Sequence, residues 1–463
     1  MSIKAVIDQI RNVIGERITT NASILEQHGH DESWHEGRQP QAVCFVESTK
    51  EVKQIVQICN ANNVPVIPFG TGTGVAGLVN AVCGGITIDL SRMDKVLDLH
   101  TDDFNCRVQA GLTHQGLNQY LRDTGLFFSV DPSADASLGG MAATRASGTN
   151  TVRYGTMREN VISITVVLAD GRVIKTGSRT NKSSAGYDLT HLFIGSEGTL
   201  GVITELTVRL HGRPAASASA CVQFAELDAA INAVITTRQC NIPVARIEFV
   251  DELLVRAINK YSKTEFEPVP SLFVGFHGSE SSVKEDARQF GDICREFACA
   301  GFRWTANDEE ANTLWKARHN AAYAFLAMRP GSRNFSTDVC VPVSRLAECI
   351  KETKADANAN VDVVHVIAGH VGDGNFHVAF LIDPSIEAEL EQVESFYDRL
   401  VTRALSMEGT CTGEHGIGLQ KIKYMADEFG KDCLDVMREI KLALDPKGLM
   451  NPGKKIPPKA HRV

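Results

Sequence analysis

The spacing of apolar and polar positions along this chain switches repeatedly between a helical and a strand rhythm, and the switches mark its elements. MSIKAVIDQIRNVIG has a 3.6-residue rhythm and predicts an amphipathic helix stopped by Gly15. Ser48-Thr49-Lys50-Glu51 spells a capping box ahead of Val52, Ile55, Val56 and Cys59, which share one helical face, and Asn62-Asn63 ends that helix. Strands are expected over 64–68, in GITIDL, and in VISITVVLA at 161–169, the longest clear apolar run. Farther on, strand-like SLFVGFHG and VVHVIAGH alternate with helical patterns, and LDVMREIKLAL reads as a helix closed by Asp445-Pro446. No internal repeat is visible.

Three glycine-rich tracts interrupt this pattern: PFGTGTGVAG, the stretch 131–155, and GSEGTLGVIT at 195–204, which ends in a strand. The 131–155 tract has few side chains able to fill a core and reads as a surface loop or linker, or as a long loop that wraps a large ligand. Together the three tracts suggest one extended cofactor. After Leu210 the texture shifts, and Gly212-Arg213-Pro214 with AASASA at 215–220 reads as a connection between domains. The expected division is 1–212, 213–425 and a C-terminal helical segment 426–463.

Composition narrows the function classes. At 463 residues the chain exceeds one ordinary core, and 43% hydrophobic residues provide for real ones. A net charge of −9 without a concentrated basic tract argues against nucleic acid. No apolar run approaches a bilayer span. The 12 cysteines are scattered without a C-x-x-C, which reads as reduced core residues. With no signal-peptide core at the start, the expected location is cytoplasmic, or peripheral to a membrane.

The most informative spacing is His370 and His377 around Asp373-Gly374 in AGHVGDGNFHVAF. Asp-Gly between apolar runs predicts a two-residue hairpin loop. Gly372 would then face Asn375, Val371 would face Phe376, and His370 would lie directly opposite His377. Two imidazoles on one side of the ribbon can converge on a cation, and Asn375 shares that side. Glu414 in CTGEHGIG would complete an open His2Glu set that leaves positions for substrate. His415, adjacent in an extended stretch, points the other way and has a different task. Ordinary strand histidines and a solvated glycine-rich turn are the plain alternatives.

Gly72, Gly74 and Gly77 spell a literal G-x-G-x-x-G, but the chain reaches Cys83-Gly84-Gly85 and another strand without room for the helix that a dinucleotide fold requires. Gly70 to Gly74 can still form a nest of backbone N–H groups for a pyrophosphate.

Taken together, PFGTGTGVAG, the 131–155 tract, GSEGTLGVIT, HVGDGNFH, GEHGIG and GLMNPGK resemble the flavin-dependent D-2-hydroxyacid dehydrogenases of the vanillyl-alcohol oxidase superfamily, over almost the whole chain. RHNAAYAFLAMRPGSRNFSTDVCVPVSRL is most similar to the cytochrome-type D-lactate dehydrogenases. The resemblance implies an α+β chain: a two-part FAD-binding domain of the vanillyl-alcohol oxidase type, a substrate domain with an antiparallel sheet, and a C-terminal segment returning to the FAD. It places noncovalent FAD around Pro68, Gly70, Thr71, Gly72, Thr73, Gly74, Pro132, Ser137, Gly139, Gly140, Gly148, Tyr154, Gly155, Glu197, Ile203 and Asn451. No His, Cys or Tyr stands in the Gly70–Gly77 loop to tether it covalently.

His370, His377 and Glu414 would bind a divalent metal, Zn2+ or Mn2+. By the same likeness His415 is the base, Arg318 holds the substrate carboxylate, and Asn375 stands beside them. Relatives acting on 2-hydroxyglutarate carry an extra lysine where this chain has Ser336-Thr337-Asp338, so a monocarboxylate is expected, with Arg333 close enough in sequence to compensate. The electron acceptor would be a cytochrome, a quinone or an electron-transfer flavoprotein. A homodimer is the commonest precedent for assembly. The competing readings are a glycolate oxidase flavin subunit, a D-2-hydroxyglutarate dehydrogenase, an alkylglycerone-phosphate synthase-like transferase, and a flavin-free metallohydrolase.

Overall fold

The computed structural model describes residues 2–458; Met1 and the last five residues of the C-terminal segment lie outside the described residues. The chain folds as two compact units. The first comprises residues 1–147, 155–213 and 414–463, and the second 148–154 and 214–413.

In the first unit, the opening helix runs Ile3–Ile14 and Gly15 stops it at φ +61°. Val6, Ile10 and Ile14 pack with Val52, Ile55, Val56 and Cys59 of the helix Thr49–Asn62. Each fully buried aliphatic side chain there contributes about 1.5–3 kcal/mol. Ser48 caps that helix through the Glu51 amide, at 3.3 Å. The capping box is incomplete, because the Glu51 carboxylate accepts from the Glu47 amide (2.8 Å) and takes two hydrogen bonds from Arg17 (2.8 and 2.6 Å). A charge-assisted fork outcompetes a neutral amide for the same oxygens.

These helices cover a four-stranded sheet ordered Ile18–Thr19, Ala42–Phe45, Ile86–Asp89, Val66–Phe69, whose last three strands are parallel. No helix lies between Phe69 and Ile86, as the rejection of a dinucleotide fold requires. A second, antiparallel sheet follows in the order Val96–His100, Asn105–Gln109, Val202–Arg209, Val161–Val167, Val173–Lys175. The 131–155 tract differs from the expected loop. Ser137 caps a helix Leu138–Thr144, and Gly139 is needed because a Cβ there would lie 2.6 Å from that of Ala110. The C-terminal helix spans Met425–Leu444 with a break at Gly430.

The second unit is built on an eight-stranded antiparallel sheet. Its main path runs Cys299–Thr305, Ala216–Phe224, Ser271–Gly278, Val244–Val250, His365–His370, Asn375–Ile382, Arg333–Ser336, and Val339–Cys340 pairs with Asn375–Ile382 off that path. AASASA is therefore not a connector: Ala216–Phe224 is an interior strand. Its alternation sends Ala218 and Ala220 into the core, while Ser219 accepts from Trp315 Nε1 at 2.9 Å. All 12 cysteines are free, seven of them buried. No helix among the described residues is long and apolar enough to cross a membrane.

Candidate functional site

In the second unit the hairpin forms, with a different register from the one expected. His370 pairs with Asn375, Gly369 with Phe376, and Ala368 with His377, so four residues, 371–374, make the loop. A two-residue loop of the favoured type needs positive φ at both central positions. Only Gly374 has it (φ +83°), and Asp373 instead closes a turn by donating its amide to His370 O at 3.0 Å. Glycine is obligatory at 374, since a Cβ would lie 2.0 Å from Val341 O.

Relative to the expected pairing the strand slips by two positions. An even slip keeps every side chain on its face. His370 and His377 are consequently diagonal neighbours on one face, with ring centroids 5.7 Å apart. Diagonal partners remain within reach for side chains of this length.

Both rings have one nitrogen committed to an acceptor. His370 Nδ1 lies 2.7 Å from Glu248 Oε1, and His377 Nδ1 lies 3.0 Å from Thr337 O. A carbonyl and a carboxylate accept, so each Nδ1 donates, and the contact fixes the orientation of each ring. Two oriented imidazoles on one face of a sheet are a candidate pair for a divalent cation.

The surroundings hold residues that the sequence did not single out. Glu248, in the strand Val244–Val250, is 1% exposed and also receives Arg318 Nη2 at 2.6 Å. Arg318 is thus already half engaged, while its Nε is buried without a partner among the described residues. Asp338, fully buried, accepts from Asn375 Nδ2 (2.8 Å) and Thr412 Oγ1 (2.7 Å). Asn375 Nδ2 also reaches Val339 O at 2.7 Å, leaving its buried Oδ1 without a partner among the described residues. Gly413 presses so closely that a Cβ would lie 2.2 Å from Asn375 Nδ2. An acid inside the apolar run VARIEFV was the one sequence signal that could have flagged Glu248.

Two of the expected flavin residues, Gly148 and Tyr154, belong to this unit. Tyr154 Oη lies 2.9 Å from His277 Nδ1, and burial beside Arg246 and Arg153 pushes the His277 imidazole down to about 4. It is neutral at physiological pH.

The first unit carries the other expected flavin residues. Pro68 lies in the strand Val66–Phe69, and the loop after it brings Gly70 so close to Ser137 that a Cβ would lie 2.3 Å from Oγ. The backbone N–H groups of Thr71, Gly72, Thr73 and Gly74 donate to no described residue. A run of free donors in a loop closely packed against a helix start is what a pyrophosphate requires. Gly139 and Gly140 lie in that helix, Pro132 in the segment before it, Gly155 at φ +79°, and Ile203 buried in the strand Val202–Arg209.

Glu197 does more than face a cofactor. Its carboxylate accepts from Ile417 N (2.7 Å), Gly418 N (2.9 Å) and Lys455 Nζ (3.2 Å). Its carbonyl accepts from Asn451 Nδ2 at 2.7 Å, and Asn451 Nδ2 also reaches Leu78 O at 3.1 Å. One buried acid thereby ties GSEG, GEHGIG and NPGK together. Within GEHGIG, Glu414 Oε2 accepts from Ser147 Oγ, and Glu414 Oε1 lies 3.7 Å from His415 Nε2.

Comparison with known proteins agrees with this geometry. The chain matches the FAD binding domain over residues 40–177 and the C-terminal domain of FAD linked oxidases over 213–455. It is 49% identical to the probable mitochondrial D-lactate dehydrogenase of Danio rerio, covering 98% of this chain and 92% of that one. It is 44% identical to the mitochondrial D-lactate dehydrogenase [cytochrome] of Arabidopsis thaliana, covering 98% and 80%. The structure of 4-ethylphenol oxidase from Gulosibacter chungangensis superposes with a TM-score of 0.78 at 19% identity, covering 99% and 98%, a likeness of fold alone. These relatives are named as mitochondrial, which contradicts the expected cytoplasmic location. With its α+β fold and its matches over nearly the full length, the chain belongs to the FAD-linked oxidases, in the family of the D-lactate dehydrogenases, and FAD is its cofactor.

Proposed function

We propose that this protein oxidises a D-2-hydroxy monocarboxylate, D-lactate or a longer aliphatic analogue, to the 2-oxoacid. His370, His377 and Glu414 hold a divalent metal, Zn2+ or Mn2+, and FAD is bound without a covalent tether. The observation that carries the reading is the pair of imidazoles on one sheet face, their ring centroids 5.7 Å apart and each oriented by an acceptor at Nδ1. Glu414 follows Gly413 by one peptide bond, and Gly413 lies against Asn375 on that sheet. The names of the relatives support D-lactate as substrate and a cytochrome as electron acceptor.

FAD, when bound, would supply the hydride acceptor, and a divalent metal held by His370, His377 and Glu414 would supply Lewis acidity. The chain's own residues do the rest. Arg318 offers its unpartnered buried Nε to the substrate carboxylate, a group that satisfies both its charge and its missing acceptor. Asn375 is clamped by Asp338 and Val339 and presents Oδ1 toward the substrate. His415 takes the hydroxyl proton, so that C2 loses hydride and O2 loses proton without leaving a cation behind.

A monocarboxylate fits the residues present, since a buried acid, Asp338, occupies the segment where a lysine would meet a second carboxylate, and Arg333 is exposed on the edge strand. Anaerobic titration with D-lactate, L-lactate and D-2-hydroxyglutarate, with and without chelator, tests the reading. D-lactate should bleach the flavin in a chelator-sensitive way. Preference for the diacid, or bleaching indifferent to chelator, would defeat it.

A further inference from the structure

Glu248 stands at the centre of the sheet with its carboxylate 1% exposed, and nothing in the chemistry proposed above uses it directly. An isolated buried carboxylate is costly, so its partners reveal what it is for. Two are seen, from different elements. Oε1 takes the Nδ1 proton of His370 from the neighbouring strand at 2.7 Å, and Oε2 takes Nη2 of Arg318 from the helix Asp308–His319 at 2.6 Å. The strand pairing Phe249 with Gly369 sets Glu248 beside His370, so the first contact is fixed by backbone register.

We infer that Glu248 is a positioning residue that presents His370 to the metal and Arg318 to the substrate carboxylate at once. Its two carboxylate oxygens accept one hydrogen bond each, from His370 Nδ1 and Arg318 Nη2. The proton of His370 is thereby held on Nδ1, leaving Nε2 as the ligating atom, and a carboxylate on the far nitrogen raises the basicity of a metal-bound imidazole. The guanidinium of Arg318 is anchored at Nη2, while its buried Nε has no partner among the described residues. One side chain therefore couples a metal ligand to a substrate clamp, and loss of its charge must loosen both. The inference rests on the proposed metal-dependent reading.

Glu248→Gln separates the cases, because an amide keeps the volume but confronts one of its two partners with a donor. The flavin-loaded full chain is stripped with chelator and titrated with Mn2+ alone. Affinity should fall about 10–100-fold, and at saturating Mn2+ the KM for D-lactate should stay elevated. Arg318→Met should raise KM while leaving Mn2+ affinity within about twofold, a split that general loosening of the fold would not produce. If Glu248→Gln fails to fold, the double variant Glu248→Gln/Arg318→Met removes the buried pair together and should show the same weakened Mn2+ binding. Unchanged Mn2+ affinity in the folded single or double variant overturns the role of Glu248 while the metal reading stands. A wild-type protein that takes up no Mn2+ overturns both.

Discussion

The two regions that carry chemistry are built by opposite means. In the second unit, the histidine pair sits on regular antiparallel strands, and its geometry follows from side chains projecting from a fixed register. The residues proposed to hold the flavin in the first unit lie mostly in loops and helix starts, where bare backbone and the absence of Cβ atoms leave room for a close-fitting ligand. A sheet-borne site is held by ladder hydrogen bonds that exist without a ligand. The loop-borne site is held instead by a few long-range hydrogen bonds that converge on Glu197. The lesson is one of fragility: the first kind fails through its ligating atoms, the second through its ties.

Substitution on each side should therefore dissociate the two. His377→Ala removes a ligand from a sheet that stays intact, so the protein should remain yellow, lose its metal by elemental analysis and lose turnover about 1,000-fold or more, the equivalent of several kcal/mol of Lewis-acid stabilisation. Full metal content in His377→Ala would break the comparison at its root. Glu197→Ala should do the reverse. Removing the acid leaves Lys455 and two buried amides without their acceptor, a loss of about 1–3 kcal/mol for each buried donor left unpaired, read as a lowered unfolding midpoint and released flavin, while a folded remainder keeps its metal. Were flavin affinity untouched, the ties would not be what holds the loops.

What could be read in the sequence divides along the same line. The pair His370 and His377 was visible because strand geometry has a period of two, and even the misjudged turn did no harm, since the slip was even. The glycine tracts suggested a phosphate site but gave no sign of the ties around it, because hydrogen bonds such as Ile417 N to Glu197 join residues 220 apart. No local pattern encodes such a contact. Glu248 and Asp338 escaped notice for a related reason: a buried acid looks like any strand acid until its partners are known. AASASA misled because small residues that commonly mark a linker can also line a strand that a tryptophan covers.

Gly72 offers a gentler perturbation of the loop. It sits at φ +70°, and a Cβ would lie 2.8 Å from the ring of Phe69, which packs against His28 with centroids 4.4 Å apart. Gly72→Ala should cost about 1–2 kcal/mol from the left-handed backbone alone. Thermal unfolding should register that loss and flavin titration a weaker affinity, with Mn2+ binding unaltered. Equal affinity for flavin would show that the donors of this loop do not face the pyrophosphate.

The smallest effect expected is a titration, and it distinguishes the ties from the loops they hold. Lys454, 4% exposed, donates to Asn80 O at 2.6 Å, and burial pushes its ammonium down to about 8, although Glu197, Asp31 and Cys83 pull it back up. An unfolded lysine titrates near 10.4. Between about 8 and 10.4 the unfolded chain holds the extra proton, so the contribution of Lys454 to stability rises with pH across that window, by at most about 1.4 kcal/mol per pH unit. Buried thiols such as Cys59 and Cys106, pushed up to about 12, act in the opposite sense, because there the folded state keeps the proton. Those thiols are common to wild type and Lys454→Met, so the difference between the two unfolding curves isolates the lysine. It should move in favour of the wild type as pH goes from 7.5 to about 9.5. Parallel curves would mean that the NPGK segment loosens before Lys454 ever feels its burial, and that the ties around Glu197 are weaker than their geometry implies.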